Sequence, residues 1–248
     1  MTEESKIQIK IHSDDDLMGI VPDPRSVSGF MALSYHGGGH SWIPEGFFTN
    51  QRNICFEPGY FHIGKCSGFG ENSFIKFTNP KQSVRIGRYV SGGYETIFMI
   101  GGHHETRAIS TCEFSSYDNE MKSVSQSDYG EIIVRNDVWF GDECMIMADS
   151  VIENGCIIGA RSLVPLRFRS EPFGIYVGAP ARLKKFRFSQ KVMDLLLDIA
   201  WWDMPYSWIK ENNKYFIYDM TGDGAVDILQ ELKAKKEQWI VDQNISAA

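Results

Sequence analysis

The sequence predicts an all-β solenoid: a three-sided coil of parallel strands with an excursion loop and a C-terminal helical tail. Three observations carry this. Bulky apolar residues fall at every sixth position, through Val134, Phe140, Ile146, Ile152, Ile158 and Val164. A small or β-branched residue stands four places after each of the first five: Val138, Cys144, Ser150, Cys156 and Ser162. The spacing recurs upstream in Ile63-Gly64, Phe69-Gly70 and Ile75, and restarts at Ile86-Gly87. A helix repeats every 3.6 residues and a half-buried strand every two, so neither yields six. An ordinary β-sandwich would need that spacing by accident, together with the matched small residues.

Each six-residue unit supplies one short strand and one tight corner. The bulky residue fills the prism, and the small one sits where the chain bends inward. Three units close a turn of 18 residues. The expected stacking is then Val134 over Ile152, Phe140 over Ile158 and Ile146 over Val164, with turns roughly 4.8 Å apart as in any parallel ladder. Buried cysteines in this pattern act as small apolar fillers.

Along the chain, residues 1–50 form an N-terminal turn-rich segment with Asp14-Asp15-Asp16, Pro22, Pro24 and Gly37-Gly38-Gly39. The coil occupies 51–181. It breaks near Asn79-Pro80, a turn signal, and again over the polar stretch 105–130, the excursion loop. Loops of that length in compact domains are usually functional or disordered. Residues 182–248 form a C-terminal helical region, with helical spacing from about Ser189 in Val192, Leu195, Leu196 and Ile199. Trp201, Trp202 and Trp208 would pack this tail on the coil or on a neighbour. The run Asp219-Met220-Thr221-Gly222-Asp223-Gly224 resembles a calcium loop. Thr221 at its third position and Gln230 at its twelfth remove the ligands such a loop needs, so no metal is expected.

Composition narrows the functional classes. The 248 residues are 43% hydrophobic, enough for a substantial core. The 25 basic and 32 acidic residues give a net charge of -7, which argues against general nucleic-acid binding. No stretch approaches the roughly 20 apolar residues of a membrane span. The start lacks a basic region followed by an apolar one, so no signal peptide is expected. The five cysteines, Cys55, Cys66, Cys112, Cys144 and Cys156, form no zinc-binding cluster. Their scatter fits reduced thiols in a cytoplasm.

The hexads, taken with four further segments, resemble the hexapeptide-repeat acyltransferases. The first runs from Gly101-Gly102-His103-His104 through Ser110-Thr111 to Phe114, similar to the family's His followed six residues later by Ser-Thr and then an aromatic. The second is Asn136-Asp137-Val138-Trp139-Phe140-Gly141. The third is Tyr176-Val177-Gly178-Ala179-Pro180-Ala181-Arg182, and the fourth is Ile199-Ala200-Trp201-Trp202-Asp203, like the Trp-Trp-Asp element of the xenobiotic-acetyltransferase branch. The resemblance covers roughly residues 50–230. His103 stands where the family usually has Asn, and Glu105 where it has Pro or Arg.

The resemblance implies a left-handed parallel β-helix, acetyl-CoA as co-substrate, and a homotrimer with active sites between subunits. His104 is then the general base, in keeping with an imidazole's suitability near neutral pH. His103 is the rival base, or lines the acceptor pocket. Trp139, next to interior Phe140, points outward and lines the cleft with Phe114; its alternative role is subunit packing. Gly159 and Ala160, with the loop Gly178-Ala179-Pro180, seat the pantetheine arm. Lys184 and Lys185 are the leading phosphate contacts within a basic run that also reads as a solvated helix face. The leading acceptor is a carbohydrate hydroxyl, on a surface polysaccharide or sugar precursor. The alternatives are a streptogramin- or chloramphenicol-type xenobiotic, an amino-sugar nitrogen, and an inactive β-helical scaffold.

Overall fold

The computed structural model describes residues 9–12, 30–34, 40–44, 47, 60–76, 81–122 and 130–246. Three strands come first: β1 (Ile9–His12), β2 (Phe30–Ser34) and β3 (His40–Pro44). Rounds of three follow. They are β4 (Tyr60–Gly64), β5 (Gly68–Phe69), β6 (Phe74–Lys76); β7 (Ser83–Ile86), β8 (Ser91–Gly92), β9 (Ile97–Met99); β10 (Glu131–Val134), β11 (Trp139–Phe140), β12 (Met145–Met147); and β13 (Ser150–Ile152), β14 (Ile157–Ile158), β15 (Leu163–Val164). The last two are β16 (Gly174–Val177) and β17 (Arg182–Phe186).

Every strand from β4 to β12 pairs in parallel with the strand three places on. The chain therefore visits three sheets in rotation, the wiring of a three-sided parallel coil. The register is the expected one: Val134 pairs with Ile152, Phe140 with Ile158 and Ile146 with Val164. Upstream, Ile63 pairs with Ile86, a longer step than 18 residues; the expected break at Asn79-Pro80 lies outside the described residues. Glu131 pairs with Ser83, 48 residues back against 18 for Val134 and Ile152. Thirty extra residues are thus inserted between β9 and β10, and the described ones among them contain no strand.

The corners explain the hexad in backbone terms. Asp137, Glu143, Asp149, Gly155, Arg161, Arg167 and Phe173 all have φ between 55° and 70°. A left-handed residue every six positions turns the chain from one face to the next. Its cost is roughly 1–2 kcal/mol for a residue with a Cβ. The bend lies one residue before the small position, which is then buried: Val138, Cys144, Ser150, Cys156 and Ser162 are at most 1% exposed. The bulky column is equally dry, and each such side chain contributes about 1.5–3 kcal/mol by leaving water. Phe69 and Phe98 meet edge to face at 5.3 Å, with Phe140 6.1 Å from Phe98.

Residues 1–50 contribute more than turns. β1 extends the first sheet beside β4, while β3 pairs with β5 and forms an antiparallel hairpin with β2. The C-terminal region also begins differently from expectation. Arg182–Phe186 is a strand, antiparallel to β16, so the basic run starts on a sheet edge rather than a helix face. Helices follow: α1 (Gln190–Ile199), α2 (Tyr206–Glu211), α3 (Asn213–Phe216) and α4 (Ala225–Ser246). Val192, Met193, Leu196 and Ile199 of α1 are buried, in a cluster with Leu229 and Leu232 of α4. Among the contacts that join tail to coil are three side-chain ones. The buried Lys65 donates to the Met204 carbonyl at 3.0 Å, Arg88 pairs with Asp203 at 2.5 Å, and Tyr89 meets Trp201 at 4.8 Å. Trp202 and Trp208 are buried within the tail cluster.

Candidate active site

The inserted segment is anchored before it leaves the coil. The amides of Ile100 and Gly101 both donate to the Lys76 carbonyl. Gly102 then has φ +84°, and a Cβ there would lie 2.3 Å from Lys76 Nζ. Glycine thus supplies both the left-handed turn and the room for the lysine side chain. His103 follows, half-buried. Burial and, secondarily, the Lys76 charge hold its imidazole below the ordinary value, favouring the neutral ring.

His104 is exposed, with Nδ1 2.6 Å from the Thr111 carbonyl. A carbonyl oxygen only accepts, so Nδ1 carries the proton in this bond. A neutral His104 then presents an Nε2 lone pair, the form a general base requires. Short-range bonds brace the intervening turn. Glu105 accepts two bonds from the Arg107 guanidinium, at 2.8 and 2.9 Å, and one from the Arg107 amide at 2.9 Å. Those bonds hold the Glu105 carboxyl at about 2, from an ordinary 4.5. Ser110 Oγ accepts from the Cys112 amide at 3.0 Å. Phe114 opens a 3-10 turn over Phe114–Ser116. His104, Glu105, Thr111, Cys112 and Phe114 line a cavity of about 360 Å³.

The structure therefore brings His104 and Phe114 together. His103 and Trp139 do not line that cavity. Trp139 stands on β11 between Ser91 and Ile157, facing outward and 54% exposed, while its neighbour Phe140 is fully buried. The corner beyond carries small residues in close approach: a Cβ on Gly141 would lie 2.5 Å from the Ala160 amide. Gly159 donates its amide to the Tyr176 carbonyl, and its own Cβ would meet Val177 Cγ1 at 2.9 Å. Ala160 and the Gly178-Ala179-Pro180 loop are exposed, and the Ala179-Pro180 peptide is cis. Lys184 and Lys185 on β17 are also exposed; Lys185 pairs with Ile175, and Lys184 falls in the bulge beside it.

Burial raises the Cys144 thiol to about 11 and pushes Cys156 up as well, so both stay protonated fillers at neutral pH. Among the described residues no group of three or more His, Cys, Asp and Glu side chains is placed to hold a metal ion. No helix there is long and apolar enough to cross a membrane. Sequence reasoning missed Lys76, whose link to Gly102 runs through space between two turns of the coil. It saw Glu105 only as a departure from a pattern; the signal for its brace was Arg107, two residues on.

No protein-family model matches the chain. A chloramphenicol acetyltransferase of Escherichia coli is 37% identical over 164 residues, which cover 62% of this chain and 74% of the relative. A probable macrolide acetyltransferase of Lysinibacillus sphaericus is 29% identical over 56% of this chain and 77% of its own length. Among solved structures, a hexapeptide-repeat-containing acetyltransferase from Vibrio cholerae superposes with a TM-score of 0.41 at 19% identity, covering 54% of this chain and 69% of that one. With six-step repeats along the coil and a relative of this identity aligned over three quarters of its length, the chain belongs to the hexapeptide-repeat acetyltransferases, on the branch that holds the chloramphenicol acetyltransferases.

Proposed function

We propose that the protein transfers an acetyl group from acetyl-CoA to a hydroxyl of a small acceptor, with His104 as general base. The observation that carries this is the Nδ1 bond to the Thr111 carbonyl, which presents Nε2 at a loop cavity of fitting size. His104 Nε2 takes the acceptor proton as the oxygen attacks the thioester carbonyl. The new C–O bond forms, the C–S bond breaks, and the imidazolium returns its proton to the departing thiolate. No acyl-enzyme is needed, in keeping with the raised thiols of Cys144 and Cys156.

Acetyl-CoA supplies the activated acyl group, and the outer corner of the coil suits it. Small, exposed Ala160 and Gly178-Ala179-Pro180, beside Gly159, admit a slender pantetheine arm. Lys184 and Lys185 offer cations for phosphates. Trp139 covers the thioester end. The coil is left-handed, as the resemblance implies, and in one protomer Trp139 lies outside the His104 cavity, which supports a homotrimer with His104 of one subunit facing Trp139 of the next. Within the loop, Ile109 and Tyr117 stand fully or mostly exposed, surface that a neighbour or an acceptor would cover. The scattered thiols support the reading of a reducing, cytoplasmic setting.

The resemblance ranks a carbohydrate first as acceptor. The names of the relatives reverse that order in favour of a chloramphenicol-type xenobiotic, and Phe114 and Ile109 give the cavity the apolar surface an aryl alcohol needs. The test is CoA-thiol release from acetyl-CoA with chloramphenicol, a macrolide and free sugars in parallel. Turnover with the xenobiotic is expected, and turnover with sugars alone restores the carbohydrate reading. Full turnover in His104→Ala refutes the base assignment. Light scattering checks assembly, with three times the 28.2 kDa chain mass expected.

A further inference from the structure

A second cavity, of about 430 Å³, opens where the helical tail meets the coil, and it shares no lining residue with the His104 cavity. Aromatic rings form much of its wall: Phe173, Phe188, Trp201, Phe216 and Tyr218. Asp137 and Arg187 supply charge to the same wall, with a second carboxylate, Asp219, bonded to the Thr221 hydroxyl. Arg187 Nη1 donates to Asp137 Oδ2 at 3.1 Å and to the Gly155 carbonyl at 2.8 Å. The guanidinium also lies 4.8 Å from the Phe188 ring centroid. Among the described residues, Asp137 Oδ1 and the Nε and Nη2 of Arg187 have no hydrogen-bond partner. Burial pushes the Asp137 carboxyl up, against the pull of Arg187. With side chains 26% and 29% exposed, Arg187 and Asp137 keep guanidinium donors and a carboxylate oxygen open to a ligand in the cavity.

We propose that this cavity binds a planar aromatic or heteroaromatic small molecule whose edge carries an N–H donor beside an acceptor, as in an aromatic carboxamide or the amino edge of adenine. The ligand's donor meets Asp137 Oδ1, its acceptor meets the Arg187 guanidinium, and its ring packs among Trp201, Phe216 and Tyr218. The volume is within the range of small-molecule sites, which pair apolar walls with a few placed polar groups. Asp137 has a second task, since its φ of 56° makes it a corner of the coil. Asparagine tolerates that conformation as well, so Asp137→Asn keeps the corner and removes the charge.

The test uses the full chain, with benzamide and adenine as probes and toluene as a ring without the edge. Tryptophan-fluorescence titration and thermal unfolding are read together. Saturable binding of benzamide or adenine is expected, tighter than that of toluene, and weakened roughly tenfold in Asp137→Asn by loss of a charge-assisted bond. Phe216→Leu, which keeps bulk but removes a ring, weakens it several-fold and serves alone if Asp137→Asn fails to fold. Pantetheine, the arm of CoA without its adenine, leaves probe binding unchanged, because the cavity shares no lining residue with the outer corner of the coil at Gly159 and Ala160. No saturation with either probe, undiminished affinity in the folded variants, or displacement of the probe by pantetheine would each overturn the proposal. The result is independent of acetyl transfer, which the thiol assay reads separately.

Discussion

Along the coil, Val134 lies over Ile152 and Phe140 over Ile158, each at most 2% exposed, and the backbone turns at the same place in every hexad. Across the segment from His103 to Phe114 nothing repeats. There the conformation is fixed by bonds spanning a few residues, Glu105 to Arg107, Ser110 to Cys112, His104 to Thr111, while Ile109 stands in solvent. The coil is held mainly by apolar surface removed from water, so its integrity is cooperative. The loop is held by hydrogen bonds and one ion pair, so it can be altered without unfolding the coil. A stiff prism carrying a hydrogen-bonded loop lets chemistry vary while the fold does not.

This contrast is open to direct attack. His104→Ala should lower the rate of acetyl transfer by about 10²- to 10⁴-fold with the thermal midpoint unchanged, measured by thiol release and calorimetry. A large loss of stability would mean that the loop and coil are not separable. The converse is Phe140→Ala, which should destabilise by about 3–5 kcal/mol in urea titration while the surviving folded fraction keeps its turnover per site. Gly102→Ala lies between the two. Its Cβ meets Lys76 and its φ is left-handed, so a loss of about 1–2 kcal/mol is expected, accompanied by slower transfer because the His104 turn shifts.

The smallest effect concerns Glu105. Its carboxyl is held at about 2 from an ordinary 4.5. A depressed value means that the clamp's contribution is complete above pH 4.5 and disappears as pH falls toward 2. Glu105→Gln should lower the rate by no more than about fivefold, the range of an exposed ion pair. The change should show in kcat rather than KM if the clamp positions His104, and the wild-type loop signals that titrate in acid by NMR should become flat. An effect of several hundredfold would make Glu105 a participant in the chemistry.

Much of the prism was legible because its rule is local. Val134, Phe140 and Ile146 predict their partners by counting 18, and the small residues at Cys144 and Cys156 follow from the same count. His104 and Phe114 were legible as a spaced pair, and the structure puts both on one cavity. Residues 1–50 read as turns because β1 and β3 find their partners far along the chain, and no local pattern announces such pairings. Arg182–Phe186 read as the start of the helical region because its strand partner is a single edge, β16.

What the linear chain determined, then, is the coil: a six-residue alternation of large and small side chains, whose burial requires three faces and sets the register. It also placed an imidazole at the start of an insertion. Only folding decided which His104 nitrogen bears the proton, how Lys76 fits beneath Gly102, and how Lys65, Arg88 and Tyr89 dock the tail. Those outcomes depend on groups that meet through space, with no spacing in the sequence to record them. The cavity at Asp137 and Arg187 is of the same kind, a site made by two segments 50 residues apart.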